Sequence, residues 1–354
     1  MGDREKQLLC EVIDSNFPND GEYSTAFEKK FSDICDVEYA VAVTSGTVAI
    51  FLGLAACGVG PGHEVIIPNV TFIATANAVS LTGARPVLVD VQPEDLCLSA
   101  ERVERAITSR TKAIVPVHVS GRAARMPELL DVALRHKLSV VEDAAEAIAS
   151  KNFGSALGSM GDAGCFSFTA NKTITTGQGG MVVTNDPAIH QRLRELKDQG
   201  RPVRGTGGAD THVSVGYNFK MTNLQGAMGL AQIETLPWRI ERLRRTLALY
   251  SEHLDNPRVR LVGFDLQSGE CPQWIDVIVN GRDELHDWLR NRGVPTRKYW
   301  HALHTQAPYR CSDEQFPIST SVDQSGLWLP SSLTLRDEDV KFICSLINGW
   351  SGAT

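Results

Sequence analysis

From Tyr39 onward, short apolar runs alternate with segments of helical period. Tyr39 to Val43 is followed by Val48 to Ala56, Glu64 to Ile67 by Ala74 to Leu81, Val87 to Val91 by Ala100 to Ile107, and Ala113 to Val117 by Pro127 to His136; Ser139 to Val141 then runs into acidic residues at Asp143. Apolar runs of this length, bounded by turn residues and separated by helices, predict a mostly parallel sheet covered by helices on both faces. In such sheets ligands gather at the carboxyl ends of the strands. A strand from Gly180 to Thr184 and helices over Ile189 to Lys197 and Leu224 to Thr235 complete this unit. Ahead of it the pattern predicts an amphipathic helix, a turn at Pro18-Asn19-Asp20-Gly21 and a second helix from Ala26 to Cys35. Pro237 interrupts the pattern, and beyond it come a long helix from Trp238 to Leu254, a strand near Ile275 to Val279, a helix from Arg282 to Arg292 and a terminal helix from Arg336 to Trp350. The chain therefore divides into a large domain over 1–237 and a smaller α+β domain over 238–354, for which 354 residues suffice.

Charge and composition narrow the function classes. A formal net charge of -7 argues against nucleic acid as a partner, because binding to phosphates needs a basic face. The basic run Arg239-Ile240-Glu241-Arg242-Leu243-Arg244-Arg245 is interleaved with apolar residues at helical spacing and reads as a solvated helix face. The 8 cysteines are scattered without a C-x-x-C pair or clustered histidines, so no metal site is expected. No apolar run approaches the ~20 residues that span a bilayer. With an N-terminus, MGDREKQLLCEV, that lacks the layout of a signal peptide, the expectation is a cytoplasmic protein with reduced thiols and no membrane partner.

Candidate chemistry centres on Gly161 to Val183. Lys172 lies there between the strand-like run Cys165-Phe166-Ser167-Phe168 and the Thr/Gly-rich segment Thr173 to Gly180. Thr, Gly and Asn favour turns and local hydrogen bonds over regular structure. An amine held on such a loop and partly withdrawn from water is available as a nucleophile toward an aldehyde. Three other stretches supply complementary groups. Thr44-Ser45-Gly46-Thr47 precedes an apolar helix, a position that caps the helix and can also bind phosphate through unpaired amides. Val140-Val141-Glu142-Asp143-Ala144-Ala145-Glu146 places carboxylates at the functional end of a strand among small residues that leave room for a flat ring; a carboxylate meeting a pyridine nitrogen would keep it protonated. Gly216 to Gln225 enters a helix through a capping box of Thr222 and Gln225.

Four segments, SGT at 45–47, EDAAEA at 142–147, SFTANKTITTGQGG at 167–180 and GYNFKMTNLQ at 216–225, together resemble the nucleotide-sugar aminotransferases of the DegT/DnrJ/StrS type. The likeness runs from about Gly21 to Ile347. It implies the three-layer α/β fold of pyridoxal-phosphate (PLP) transferases, the aspartate aminotransferase-like fold. It also implies that Lys172 is the Schiff-base lysine, that Gly46, Thr47 and Ser167 hold the cofactor phosphate, and that Asn218 reaches that phosphate from the neighbouring subunit of a homodimer. By the same resemblance Asp143 pairs with the pyridine nitrogen, Phe72 stacks on the ring and Glu146 lies by the phenolic oxygen.

Two positions depart from the pattern. Many relatives carry Gln where this chain has Glu146, and an acid facing the phenolic oxygen requires a proton or a water between them; Glu here resembles the perosamine-forming branch. Gln178 stands where relatives read TTGEGG. The implied reaction moves an amino group from L-glutamate to a nucleotide-linked keto sugar, with Lys172 acting as nucleophile and as general base and acid. The mixed segment Gly293 to His304 offers Arg297, Tyr299 and His301 to the substrate. GDP-4-keto-6-deoxymannose, aminated at carbon 4, is the leading expectation, with a UDP- or dTDP-linked keto sugar as the alternative. A sugar dehydratase on this fold resembles the chain less, because that group has His at the lysine position, and a PLP-binding regulatory protein would not need the full ligand set.

Overall fold

The computed structural model describes residues 1–203 and 210–352. Two helices, α1 (Asp3–Asp14) and α2 (Glu22–Cys35), lead into a seven-stranded sheet. Its strands are β1 (Tyr39–Val43), β2 (Glu64–Pro68), β3 (Arg85–Val89), β4 (Thr111–Ile114), β5 (Ser139–Asp143), β6 (Ala163–Ser167) and β7 (Gly180–Thr184), in the spatial order β1-β7-β6-β5-β4-β2-β3. β7 alone runs against its neighbours, and the other pairings in the run from β6 to β3 are parallel. The helices of this unit are α3 (Gly46–Ala56), α4 (Ala74–Leu81), α5 (Ala100–Ala106), α6 (Met126–His136), α7 (Pro187–Lys197) and α8 (Asn223–Glu234).

Successive strand residues feed opposite faces, and both faces are covered. Val41, Val43, Val65, Ile67, Val141 and Cys165 pack with α3, α4 and α7. On the other side Ile66, Ile114 and Val140 pack with α5 and α6, while Ala42, Phe166 and Met181 pack with Phe27 and Phe31 of α2. Burial on both sides is why these strands read as continuous apolar runs.

The elements depart from the sequence pattern in ways with local causes. β3 begins at Arg85, two residues early, because Arg85 pairs with Glu64 across the strands. It also ends early: the Asp90 carboxylate turns away to accept the Ile318 and Ser319 amides at 3.0 and 2.8 Å. Pro237 does not break a helix but sits in the first turn of α9 (Leu236–His253), where its missing N–H costs no hydrogen bond.

Beyond α9 a four-stranded sheet forms from β8 (Val259–Leu261), β9 (Ile275–Val279), β10 (Arg297–Lys298) and β11 (Gly326–Leu329), in the order β8-β9-β11-β10. Helices α10 (Arg282–Arg290), α11 (Pro317–Ser325) and α12 (Asp337–Asn348) accompany it, and Val277, Val279, Leu327 and Leu329 pack with Ile343 and Ile347 of α12. Among the described residues no helix is long and apolar enough to cross a membrane.

Candidate active site

A cavity of about 380 Å³ opens where the carboxyl ends of β1, β5 and β6 meet the loops after β2 and before β9. That volume is within the range of small-molecule sites. Its wall includes Ser45, Gly46, Thr47, Phe72, Thr75 and Asp143, and continues through Glu146, Ser167, Lys172, Trp274, Arg297 and Trp300. Segments from Ser45 to Gln178 converge because parallel strands deliver their ends to one edge, and Trp274, Arg297 and Trp300 are added from the smaller, antiparallel sheet.

Each group is placed by a local feature. After β1 the chain caps α3 with Ser45, whose Oγ accepts the Val48 amide at 3.3 Å. The amides of Gly46 and Thr47, in the first turn, have no intrahelical acceptor and form an anion-binding end. Close approach shapes this end: a Cβ on Gly46 would lie 2.7 Å from the Ser167 Cβ, and one on Gly180 would lie 2.3 Å from the Ser45 carbonyl oxygen.

At the end of β5, alternation separates two acids. Glu142 turns into the protein, where it meets His118 at 2.8 Å and accepts amides from Gly158, Met160 and Gly161. Asp143 faces the cavity. Its Oδ2 accepts from Thr75 Oγ1 at 2.7 Å and its Oδ1 from the Ala145 amide at 3.1 Å. Burial raises the pKa of Asp143, with the hydrogen bonds and Lys172 opposing it. A buried carboxylate of this kind calls for a cation, such as a protonated ring nitrogen.

The Lys172 loop is held by its own threonines. Thr175 Oγ1 donates to the Phe168 carbonyl at 3.0 Å, Thr176 Oγ1 to that of Gln178 at 2.7 Å, and the Gly177 amide donates to Thr175 Oγ1 at 2.9 Å. Phe168 anchors the base of the loop against Phe27 and Phe31. The Lys172 side chain is 10% exposed, with Nζ 3.5 Å from Glu146 Oε1 and 4.8 Å from the centre of the Trp274 ring. Glu146 is held through Oε2 by the Ser120 amide at 2.9 Å.

Burial pushes Glu146 up to about 7, against the pull of Lys172. The folded protein therefore binds this proton more tightly than the unfolded chain, whose carboxyl has its ordinary value of 4.5. Stability from this group is complete at the acidic end and is lost as pH rises from there through about 7. Cofactor-free Glu146→Gln should accordingly melt close to the wild type at pH 5 and above it at pH 8. Melting curves that stay parallel across that range would contradict the assignment.

Of the residues singled out from sequence, Gly46, Thr47, Phe72, Asp143, Glu146, Ser167, Lys172 and Arg297 line this one cavity. Three do not. Asn218 is exposed, in a backbone bridge with Asp198. Tyr299 is 4% exposed and packs edge-on against Trp300 and tilted on Trp328, so its ring is core and not wall. His301 points to solvent, its side chain 74% exposed and its Nδ1 2.9 Å from Asp323. The wall also holds Thr75, Trp274 and Trp300, none of which the motifs single out as a site residue. Thr75 lies three residues after Phe72, a spacing that puts it on the same side of the chain; Trp300 lies inside the mixed segment 293–304, and nothing local marks Trp274.

The donor set of amine, buried acid and anion-binding helix end fits a phosphorylated pyridine aldehyde. Residues 1–348 match the family model described as the DegT/DnrJ/EryC1/StrS aminotransferase family. The chain belongs to that family. Among curated relatives, GDP-perosamine synthase of Escherichia coli O157:H7 is 38% identical over 352 residues, 98% of this chain and 95% of that protein. UDP-N-acetyl-3-dehydro-alpha-D-glucosamine 3-aminotransferase of Acidithiobacillus ferrooxidans is 35% identical over 337 residues, 92% of this chain and 88% of that one. A crystal structure of a DegT DnrJ EryC1 StrS aminotransferase from Brucella abortus superposes with a TM-score of 0.93 at 30% identity, covering 99% of this chain and 96% of that chain. This family member is thus an aminotransferase on the three-layer α/β fold of its relatives.

Proposed function

We propose that the chain is a PLP-dependent enzyme that moves an amino group from L-glutamate to carbon 4 of GDP-4-keto-6-deoxymannose. The convergence of Lys172, Asp143 and the α3 N-terminus on one cavity carries the cofactor part of this reading. When bound, PLP supplies an aldehyde that takes up an amine and a ring that accepts the electron pair left when a proton departs from the adjacent carbon. Lys172 Nζ would be the amine that holds the aldehyde and the base and acid that moves the proton. Asp143 would keep a proton at the ring nitrogen, and Gly46, Thr47 and Ser167 would seat the phosphate. Glu146 would offer the cofactor's phenolic oxygen a carboxyl able to keep its proton near neutral pH.

The substrate part rests on the likeness to GDP-perosamine synthase at 38% identity and on the mouth of the cavity, where Arg297 and Trp300 offer a cation and a flat ring to a nucleotide diphosphate. The similarly identical UDP-sugar aminotransferase favours a second reading, a UDP-linked keto sugar. Incubation with glutamate and a panel of GDP-, UDP- and dTDP-linked keto sugars, read by mass spectrometry, separates them: the GDP-linked 4-keto sugar should be aminated fastest. Faster turnover of a UDP- or dTDP-linked sugar would replace the first reading.

Asn218 is proposed to serve the cavity of a second subunit in a homodimer. It is exposed and flanked by the exposed apolar side chains of Val213, Val215 and Tyr217, a surface suited to burial against another copy. Mixing Lys172→Ala with Asn218→Asp subunits should restore activity that neither has alone, because one site of the mixed dimer carries no lesion. Absence of restoration after subunit exchange would contradict the shared site.

A further inference from the structure

The amine of Lys172 has two flanks, Glu146 and Trp274, and both are attached to one buried residue. Ser120 lies in the turn Val119–Gly121, fully buried, with φ 55 and ψ 15. Its amide donates to Glu146 Oε2 at 2.9 Å. Its carbonyl accepts the amide of Gln273, the residue before Trp274, at 2.8 Å. Its hydroxyl donates to Asp276 Oδ1 on β9 at 3.0 Å, and the other oxygen of Asp276 pairs with the buried guanidinium of Arg122.

The left-handed backbone at Ser120 is one that glycine adopts freely and most side chains avoid. What serine adds there is the hydroxyl bond, which ties the turn to the smaller sheet. We propose that Ser120 is a positioning residue for the Lys172 amine, holding Glu146 and the Trp274 segment at fixed distances from it through a turn locked to Asp276. The proposal rests on the role given to Lys172 above. The charged and titratable groups that face Glu146 are Lys172, Asp143, Asp276 and Tyr299, and those facing Asp276 include Arg122 and Tyr299, whose hydroxyl also lies beside Ser120.

Without the hydroxyl, one oxygen of Asp276 loses its donor, and the less compensated charge lies beside Glu146, the carboxyl that flanks the amine. A more negative surrounding favours a protonated nitrogen. The test compares Ser120→Gly, which relieves the backbone, with Ser120→Ala, which does not, both as cofactor-loaded enzyme. The pH midpoint of the bound-cofactor absorption band should move upward by about half a unit or more in both. kcat should fall roughly 10-fold with KM for both substrates changed less than about 2-fold, since orientation and not affinity is lost. The Ser120→Gly protein should melt within a few degrees of the wild type. Unchanged midpoint and kcat in the two variants, whatever their melting temperatures, would overturn the role of Ser120 alone. Retention of the same band in Lys172→Ala would overturn this role together with that of Lys172.

Discussion

Lys172→Ala should lower the rate of transamination by at least about 1,000-fold, because one substitution removes both the nucleophile and the group that shuttles the proton. The loss should fall on kcat for both half-reactions, with the fold intact: among the described residues the lysine side chain makes no hydrogen bond, and its ion pair with Glu146 is 3.5 Å long. Folding itself relies on the loop's threonine hydrogen bonds and on Phe168, which the substitution leaves in place. Added primary amines of small size should restore part of the proton transfer. A variant that turns over within 10-fold of the wild type would remove Lys172 from the reaction.

Asp143→Asn should have the second largest effect. The amide keeps the shape of the carboxylate but cannot hold a proton on a ring nitrogen. The charge-assisted bond it replaces is worth roughly 1.5–3 kcal/mol, so kcat should fall roughly 10- to 200-fold and the cofactor should bind more weakly. Stability should move the other way. In the cofactor-free protein the carboxylate is buried with its pKa raised by desolvation, so removing the charge relieves a cost. The cofactor-free variant should therefore melt no lower than the wild type, provided the Thr75 and Ala145 bonds adapt to the amide. A variant with unchanged kcat and cofactor affinity would place the ring nitrogen elsewhere.

Much of the site was legible because its chemistry is written in compact motifs. Thr175 and Thr176 do bind the loop to itself, as their preference for local hydrogen bonds suggests, and Ser45 does cap α3. Two adjacent acids at 142 and 143 could equally have capped a helix; only the strand's alternation sends Glu142 to His118 and Asp143 to the cavity. The segment Gly293 to His304 mixes cations, rings and imidazoles, and composition does not tell a wall residue from a core residue. Arg297 reaches the cavity, Tyr299 joins the tryptophan cluster and His301 faces solvent. Ser120 and Trp274 were invisible for a different reason. Their contacts to Glu146, Asp276 and Lys172 span long sequence separations and depend on how two sheets meet, which no local period records.

The most direct test of the central claim is the attachment point of the cofactor. Holoenzyme reduced with borohydride and digested should yield, by mass spectrometry, a single modified peptide carrying the pyridoxyl group on Lys172. Modification at another lysine, or none at all in protein incubated with PLP, would contradict the reading of this cavity.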